Sequence, residues 1–314
     1  MTLLQVARRR GARMHRGAGV RRAAPAHRGA ATLFLSPALL VIGAFVLVPL
    51  GLTVWISLHE WSMYSPLGDM TWVGLDNYRS LWTSGDFRGS LWRTFLYGLM
   101  VVGGTLPLAF LLSLLLYFPT ARGRNVVRAI LFSTYVIPTV AVALVWGALY
   151  APGYGPLDQI VTALGMQPVG WISDPDVALL SLALFNVWQM LGYYTILLVA
   201  GLTQIPADVY EAARVDGAGQ LRQTASITIP LLQRTLVFVG MIAVINAVQV
   251  FDPVYLLTQG GPSNSTNVLT FDIQRTAFQF GLAGQASAMA ISLLLVLAIL
   301  AGALSQGRRL VGRR

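Results

Sequence analysis

Six long apolar runs, at roughly 32–58, 94–118, 126–149, 177–202, 231–251 and 286–306, alternate with shorter polar connections along the chain. Each has the ~20 mostly apolar residues that an α-helix needs to cross a bilayer, and none carries an acid in its interior. The pattern predicts an all-α integral membrane protein with six transmembrane helices. Its parts are a basic tail over 1–30, a membrane core over 31–306 and a short basic C-terminal segment over 307–314. Two connections, 59–93 and 150–176, are about 30 residues long and rich in Trp, Tyr, Gly, Pro and Asp. They suit amphipathic segments lying at the interface and are too short for a separate domain. Gly103, Gly104, Pro107 and Pro138 fall inside the second and third runs, where neighbouring helices can satisfy freed backbone groups. They are read as packing and kink features.

Composition agrees with a bilayer: 55% hydrophobic and 11% charged residues, with a mean hydropathy of +0.65. The net charge of +10 rests on 22 basic residues that are all arginine. With no lysine the chain has no P-loop lysine for ATP phosphates and no Schiff-base lysine, and with no cysteine it has no thiol nucleophile or disulfide. The basic balance does not point to nucleic acid, because it is distributed by loop. Eight arginines lie in 1–30, three in the 119–128 connection, three in 203–234 and four at the C-terminus, against only Arg79, Arg88, Arg93 and Arg275 in the other loops. Nine of the 12 acids lie in those other loops. By the positive-inside rule both termini are cytoplasmic, as an even number of spans requires. The first apolar run is also far longer than a signal-peptide core, so it is read as an uncleaved first span.

Spans four and five carry polar side chains that lipid would penalise. Asn186, Gln189 and Tyr193 share one helical face, beside Trp188 and Tyr194, and Asn246 and Gln249 repeat the three-residue spacing in span five. These faces should point into the bundle. Amides can bond sugar hydroxyls and aromatic rings can lie on the apolar face of a pyranose, so the residues are candidates for a carbohydrate pathway. Interhelical hydrogen bonds account for the same pattern, and both readings stand at this stage. Asp252, beside Pro253, reads as a cap or loop contact, and 251–262 as a turn cluster.

The loop over 203–230 is the most specific segment. Pro206 suits a first helical turn, Asp208 faces the positive end of the dipole, and Glu211 and Arg214 are spaced to pair. A helix over 206–215 should end at Gly217, followed by a second over 219–226, with Pro230 opening span five. Small residues Ala212, Ala213, Ala218 and Gly219 would let another backbone approach.

The spacing Glu211-Ala212-Ala213, three residues, Gly217, nine residues, Ile227-x-Ile229-Pro230 resembles the EAA loop of binding-protein-dependent ABC importer permeases, with Ile229 in place of leucine. The resemblance extends to the carbohydrate-uptake branch, through Val73-Gly-Leu-Asp-Asn-Tyr78, Asp216-Gly-Ala218 and the Phe251–Pro262 segment, and more weakly through Gly284–Ala288. It implies the type I importer fold, with 203–230 as a coupling loop seated on a cytoplasmic ATPase. Glu211, Ala212, Ala213, Asp216, Gly217 and Pro230 would be the coupling residues. The implied partners are a second homologous permease, two ATPase subunits binding ATP and Mg, an extracytoplasmic solute-binding protein near 251–262, and a small carbohydrate-like substrate such as a sugar, polyol or glycerophosphodiester. The location implied is the bacterial plasma membrane. Thr224 and Leu221 replace residues that are often aromatic in the family, so the apolar part of the docking contact would be built differently.

The chain is read as non-catalytic: it has no G-x-S-x-G, no H-E-x-x-H and no intramembrane acid pair, and no metal ligand set is expected. The alternative reading is a self-contained secondary transporter. Proton coupling lacks the intramembrane carboxylate or histidine it normally uses, which leaves a sodium-coupled form open.

Overall fold

The computed structural model describes residues 28–117 and 123–311. The basic tail before Arg28, Arg122, Arg313 and Arg314 therefore lie outside the described residues. The chain divides into two compact units, Met1–Leu52 and Thr53–Arg314. In the first, α1 (Arg28–Ile42), a π-turn over Gly43–Leu47 and the start of α2 (Val48–Ser57) run on as helix. Leu35–Ser57 is long and apolar enough to cross a membrane.

The second unit begins with a two-residue hairpin in which β1 (His59–Glu60) pairs antiparallel with β2 (Thr71–Trp72), followed by α3 (Asp76–Thr83). Asn77 fixes this corner from inside, its Nδ2 donating to the carbonyls of Ser57 and His59 at 2.9 Å each. Then α4 (Gly85–Tyr117) runs for 33 residues, starting nine residues before the apolar run that announces it. Pro107 sits inside it without interrupting it.

Span three departs from the expectation of a single helix. It is two helices, α5 (Arg124–Val136) and α6 (Thr139–Leu149), bent by 97° at Ile137-Pro138. Proline removes a donor, and its ring pushes the preceding residue out of the helical region. Ile137 is accordingly extended, at φ −68° and ψ 132°. After α7 (Pro156–Ala163) comes α8 (Ala178–Leu202), which packs against both α4 and α5. A β-carbon built on Gly192 of α8 would lie 1.8 Å from the Leu131 carbonyl oxygen, so α8 touches the α5 backbone itself. That is the use of small residues at membrane helix contacts.

The loop helix α9 (Ala207–Val215) leads to α10 (Gln220–Gln223), and here a second expectation is corrected. The helix neither stops near residue 226 nor restarts at Pro230. It continues through a π-turn over Thr224–Thr228 into α11 (Ile229–Val248), so that Pro230 lies inside a longer helix. The Ile229 N–H bonds the Thr224 carbonyl, five residues back. This one-residue slip in the ladder absorbs the donor that proline lacks. The chain ends in α12 (Asp252–Leu257), α13 (Leu269–Gln274) and α14 (Ala283–Val311). Among the described residues five helices are of membrane-crossing length and composition, or six with the bent pair as one span.

The core follows α4, α8 and α11. One cluster joins Tyr97, Val101, Leu182 and Ala247 to Val254 and Phe271, and another joins Ala109, Tyr194, Leu198 and Leu202 to Tyr210 and Leu232. The second cluster reaches α9, so the loop helix is anchored to the same core as the spans.

Candidate functional site

The 203–230 loop is a built turn. Asp216 caps the end of α9, then Gly217 adopts φ +73°, a left-handed conformation that costs glycine little. The Ala218 N–H bonds the Ala213 carbonyl at 2.9 Å and the Gly217 N–H bonds that of Arg214 at 3.1 Å, which together make a Schellman cap. Gln223 closes it from the other helix, its Nε2 donating to the Ala218 carbonyl at 2.6 Å. Tyr210 is buried and shares a hydrogen bond with the Thr228 hydroxyl at 3.0 Å. Glu211 and Arg214 do approach, at 3.9 Å, but both side chains are about two-thirds exposed. Such a pair contributes only about 0.3–0.5 kcal/mol, which leaves Glu211 available to another molecule. Ala212 is exposed and Ala213 half-buried. Val215 and Leu221, each 88% exposed, stand on either side of the turn. The turn therefore presents a carboxylate and two uncovered aliphatic side chains on a frame fixed from behind. Gln223 and Tyr210 hold the turn in place and were not picked out from sequence. Their role depends on two helices closing on each other, which local spacing does not reveal.

The polar residues of α8 and α11 divide into two groups. Gln189, almost fully buried, is committed to span three: its side-chain Nε2 donates to the Thr139 hydroxyl at 3.0 Å, and its backbone carbonyl accepts from the Thr134 hydroxyl at 3.2 Å. It braces the break at Pro138 on both sides. Tyr194 is buried with its hydroxyl accepting from Asn246 Nδ2 at 3.1 Å. Tyr193 stacks on Tyr135 with ring centroids 4.3 Å apart and also meets Tyr194 at 5.2 Å. Asn246, Tyr194, Tyr193 and Tyr135 thus form a continuous row across α11, α8 and α5. Asn186 is buried in α8, while Trp188 is 40% exposed and meets Trp146 of α6 at 5.5 Å. Asn246 and Gln249 are exposed on α11. Tyr135, Thr134 and Thr139 were not picked out from sequence. The available signal was two threonines and a tyrosine within four residues of a proline in an apolar run.

Two further segments are held by charge. Asp158 is buried in the 150–176 connection, where it accepts from the backbone N–H groups of Gly153 (2.7 Å) and Val169 (3.1 Å) and from the Trp171 indole (2.9 Å). The Gly153 bond, helped by the other two and opposed by desolvation, holds its carboxyl below the ordinary carboxylate range. Between α11 and α14, Gln259, Gly260, Ser263 and Asn264 take left-handed conformations, and Asp252 begins α12. Arg275 bonds Asp272 at 3.2 Å and Asn264 at 2.9 Å, and Arg93 of α4 reaches the Asn267 carbonyl at 3.2 Å. Among the described residues no group of three or more His, Asp or Glu side chains could hold a metal ion.

Residues 80–310 match the family described as binding-protein-dependent transport system inner membrane component. The chain is 35% identical over 238 residues to the trehalose/maltose transport system permease protein MalF of Thermococcus litoralis, covering 76% of this chain and 80% of that one. It is 31% identical over 294 residues to the diacetylchitobiose uptake system permease protein NgcF of Streptomyces coelicolor, covering 89% and 82%. In fold it is similar to a chain of a bacterial alginate ABC transporter solved with an alginate pentasaccharide-bound periplasmic protein. The TM-score there is 0.78 at 21% identity, over 90% of this chain and 95% of that one.

Proposed function

The chain belongs to the family of binding-protein-dependent transport inner membrane components, and from that premise we propose that it is one permease subunit of an ATP-driven importer for a sugar or sugar-like solute. The observation that carries the reading is the hydrogen-bonded turn at Gly217, from which Glu211, Val215 and Leu221 stand exposed among the described residues. A carboxylate flanked by aliphatic groups is suited to a groove on a second protein, and here the second protein is an ATPase subunit. Two such subunits bind ATP and Mg, since this chain has no lysine for a phosphate loop.

In this reading a second permease subunit completes the pathway, and a solute-binding protein outside the membrane delivers the substrate. The bent pair α5 and α6 counts as one of six spans, and both termini are cytoplasmic. Asn246, Gln249 and Trp188, exposed on this subunit, together with the Tyr135–Tyr193 stack, would offer amide and aromatic contacts to a sugar. Gln189 takes the positioning role of holding the bent span in place. Family membership does not favour a self-contained sodium-coupled transporter.

The test is uptake by the assembled transporter. Glu211→Ala and Gly217→Pro should each remove uptake, or uncouple it from ATP hydrolysis, while membrane insertion stays normal. Fully coupled uptake by both variants would overturn the assignment of the loop.

A further inference from the structure

A cavity of about 380 Å³ opens between α4 and α14. From α4 it is lined by Leu91, Trp92 and Phe95, and from α14 by Leu293, Val296 and Leu300, with Val248 of α11 between them. Leu293 to Leu300 is seven residues, or about 10 Å of helix rise. That is most of the roughly 15 Å of one leaflet's hydrocarbon. Thr94 adds no free polar group, since its hydroxyl donates to the Ser90 carbonyl and accepts from the Leu269 N–H.

One cation stands at the head of this groove. Arg88, three residues into α4, is exposed, and its Nε donates to the Ser84 carbonyl at 3.3 Å. Among the described residues its guanidinium forms no ion pair, whereas Arg275 is paired with Asp272. Asp86 is two residues before it, a spacing at which helical side chains do not face each other. Trp92, 58% exposed and stacked on Phe95 at 5.5 Å, lies one helical turn along α4 from Arg88, and indoles are the side chains that gather at membrane boundaries.

We propose that this groove binds one anionic phospholipid, with an acyl chain along Leu293–Leu300 and the headgroup phosphate against Arg88. The side of the membrane on which the headgroup lies rests on the orientation proposed above; the binding itself does not. An apolar channel of acyl length below an unpaired cation is complementary to an amphiphile with a negative head. A wholly apolar helix would fill the groove without meeting the guanidinium.

Quenching of Trp92 by brominated phospholipid tests this. The full chain, with the subunits that co-purify, is placed in phosphatidylcholine vesicles containing an equal mole fraction of either brominated phosphatidylglycerol or brominated phosphatidylcholine. The Trp92 signal is the difference from a Trp92→Phe variant. Quenching should favour phosphatidylglycerol by about fivefold, the Boltzmann factor for roughly 1 kcal/mol of attraction per basic side chain. Arg88→Gln should abolish the preference and Arg88→Lys should keep it, with unchanged thermal midpoints. Equal quenching by the two lipids in the unaltered protein would overturn the proposal, as would no quenching by either, which means protein covers the groove. A Glu211→Ala background should give the same quenching, so failure of the transport reading is distinguishable.

Discussion

Tyr194 and Asn246 hold each other across two helices, the Asn246 amide donating to the Tyr194 hydroxyl at 3.1 Å. Removing either side of one hydrogen bond costs about 1 kcal/mol. Tyr194→Phe and Asn246→Ala should therefore each lower the thermal midpoint, and the double variant should be no worse than the poorer single one. Additive losses would show that the two side chains act independently. Asp158 gives a prediction in pH. Its folded-state carboxyl titrates below the ordinary value because Gly153, Val169 and Trp171 donate to the ionised form. The folded state thus holds the proton less tightly than the unfolded one. Its contribution is full above the ordinary aspartate value of about 3.9 and is lost as pH falls through the lower folded value. Thermal midpoints measured from pH 7 down to pH 3 should show the unaltered protein well above Asp158→Asn at neutral pH, with the gap narrowing at the acid end. A constant gap would sink this account.

At the scale of elements, each apolar run falls on a long helix or a bent helix pair, because burial in lipid demands continuous stretches that few other structures require. The break in span three was not legible in the same way. Pro138 was visible, but whether a proline kinks a helix or divides it depends on what braces the ends. Here the brace is Gln189, which bonds Thr139 from 50 residues away, together with Gly192 lying against the α5 backbone. The loop shows the same division. Gly217 could be read as a helix stop from its neighbours alone, whereas Tyr210 and Gln223 acquire their partners only when α9 and α10 fold back on each other. The π-turn at Thr224–Thr228 has no sequence signature of its own, and it is why the expected restart at Pro230 is absent. Gln223→Ala tests the staple directly. Freeing the Ala218 carbonyl should raise amide exchange across residues 213–219 by roughly twofold to thirteenfold, the factor for a lost bond of about 0.5–1.5 kcal/mol. Unchanged exchange would mean that the Schellman cap alone holds the turn.

For the whole molecule, the division of charge is a statement about orientation. Eighteen of the 22 arginines fall on one set of connections and nine of the 12 acids on the other. The absence of cysteine makes this measurable without first removing native thiols. In intact cells a membrane-impermeant maleimide should label Tyr154→Cys, and should reach Leu221→Cys only after permeabilisation; the reverse pattern would overturn the proposed topology. The π-turn gains its meaning at this scale. Because α10 passes into α11 without a break, Gln220 and Asn246 are opposite ends of one stiff lever, 26 residues or about 39 Å long. A tilt of only about 5° about its Gln220 end would swing Asn246 by roughly 3.4 Å over that arm. A displacement of that size is more than a hydrogen bond tolerates, so the Asn246–Tyr194 contact is kept only while this helix holds its present tilt.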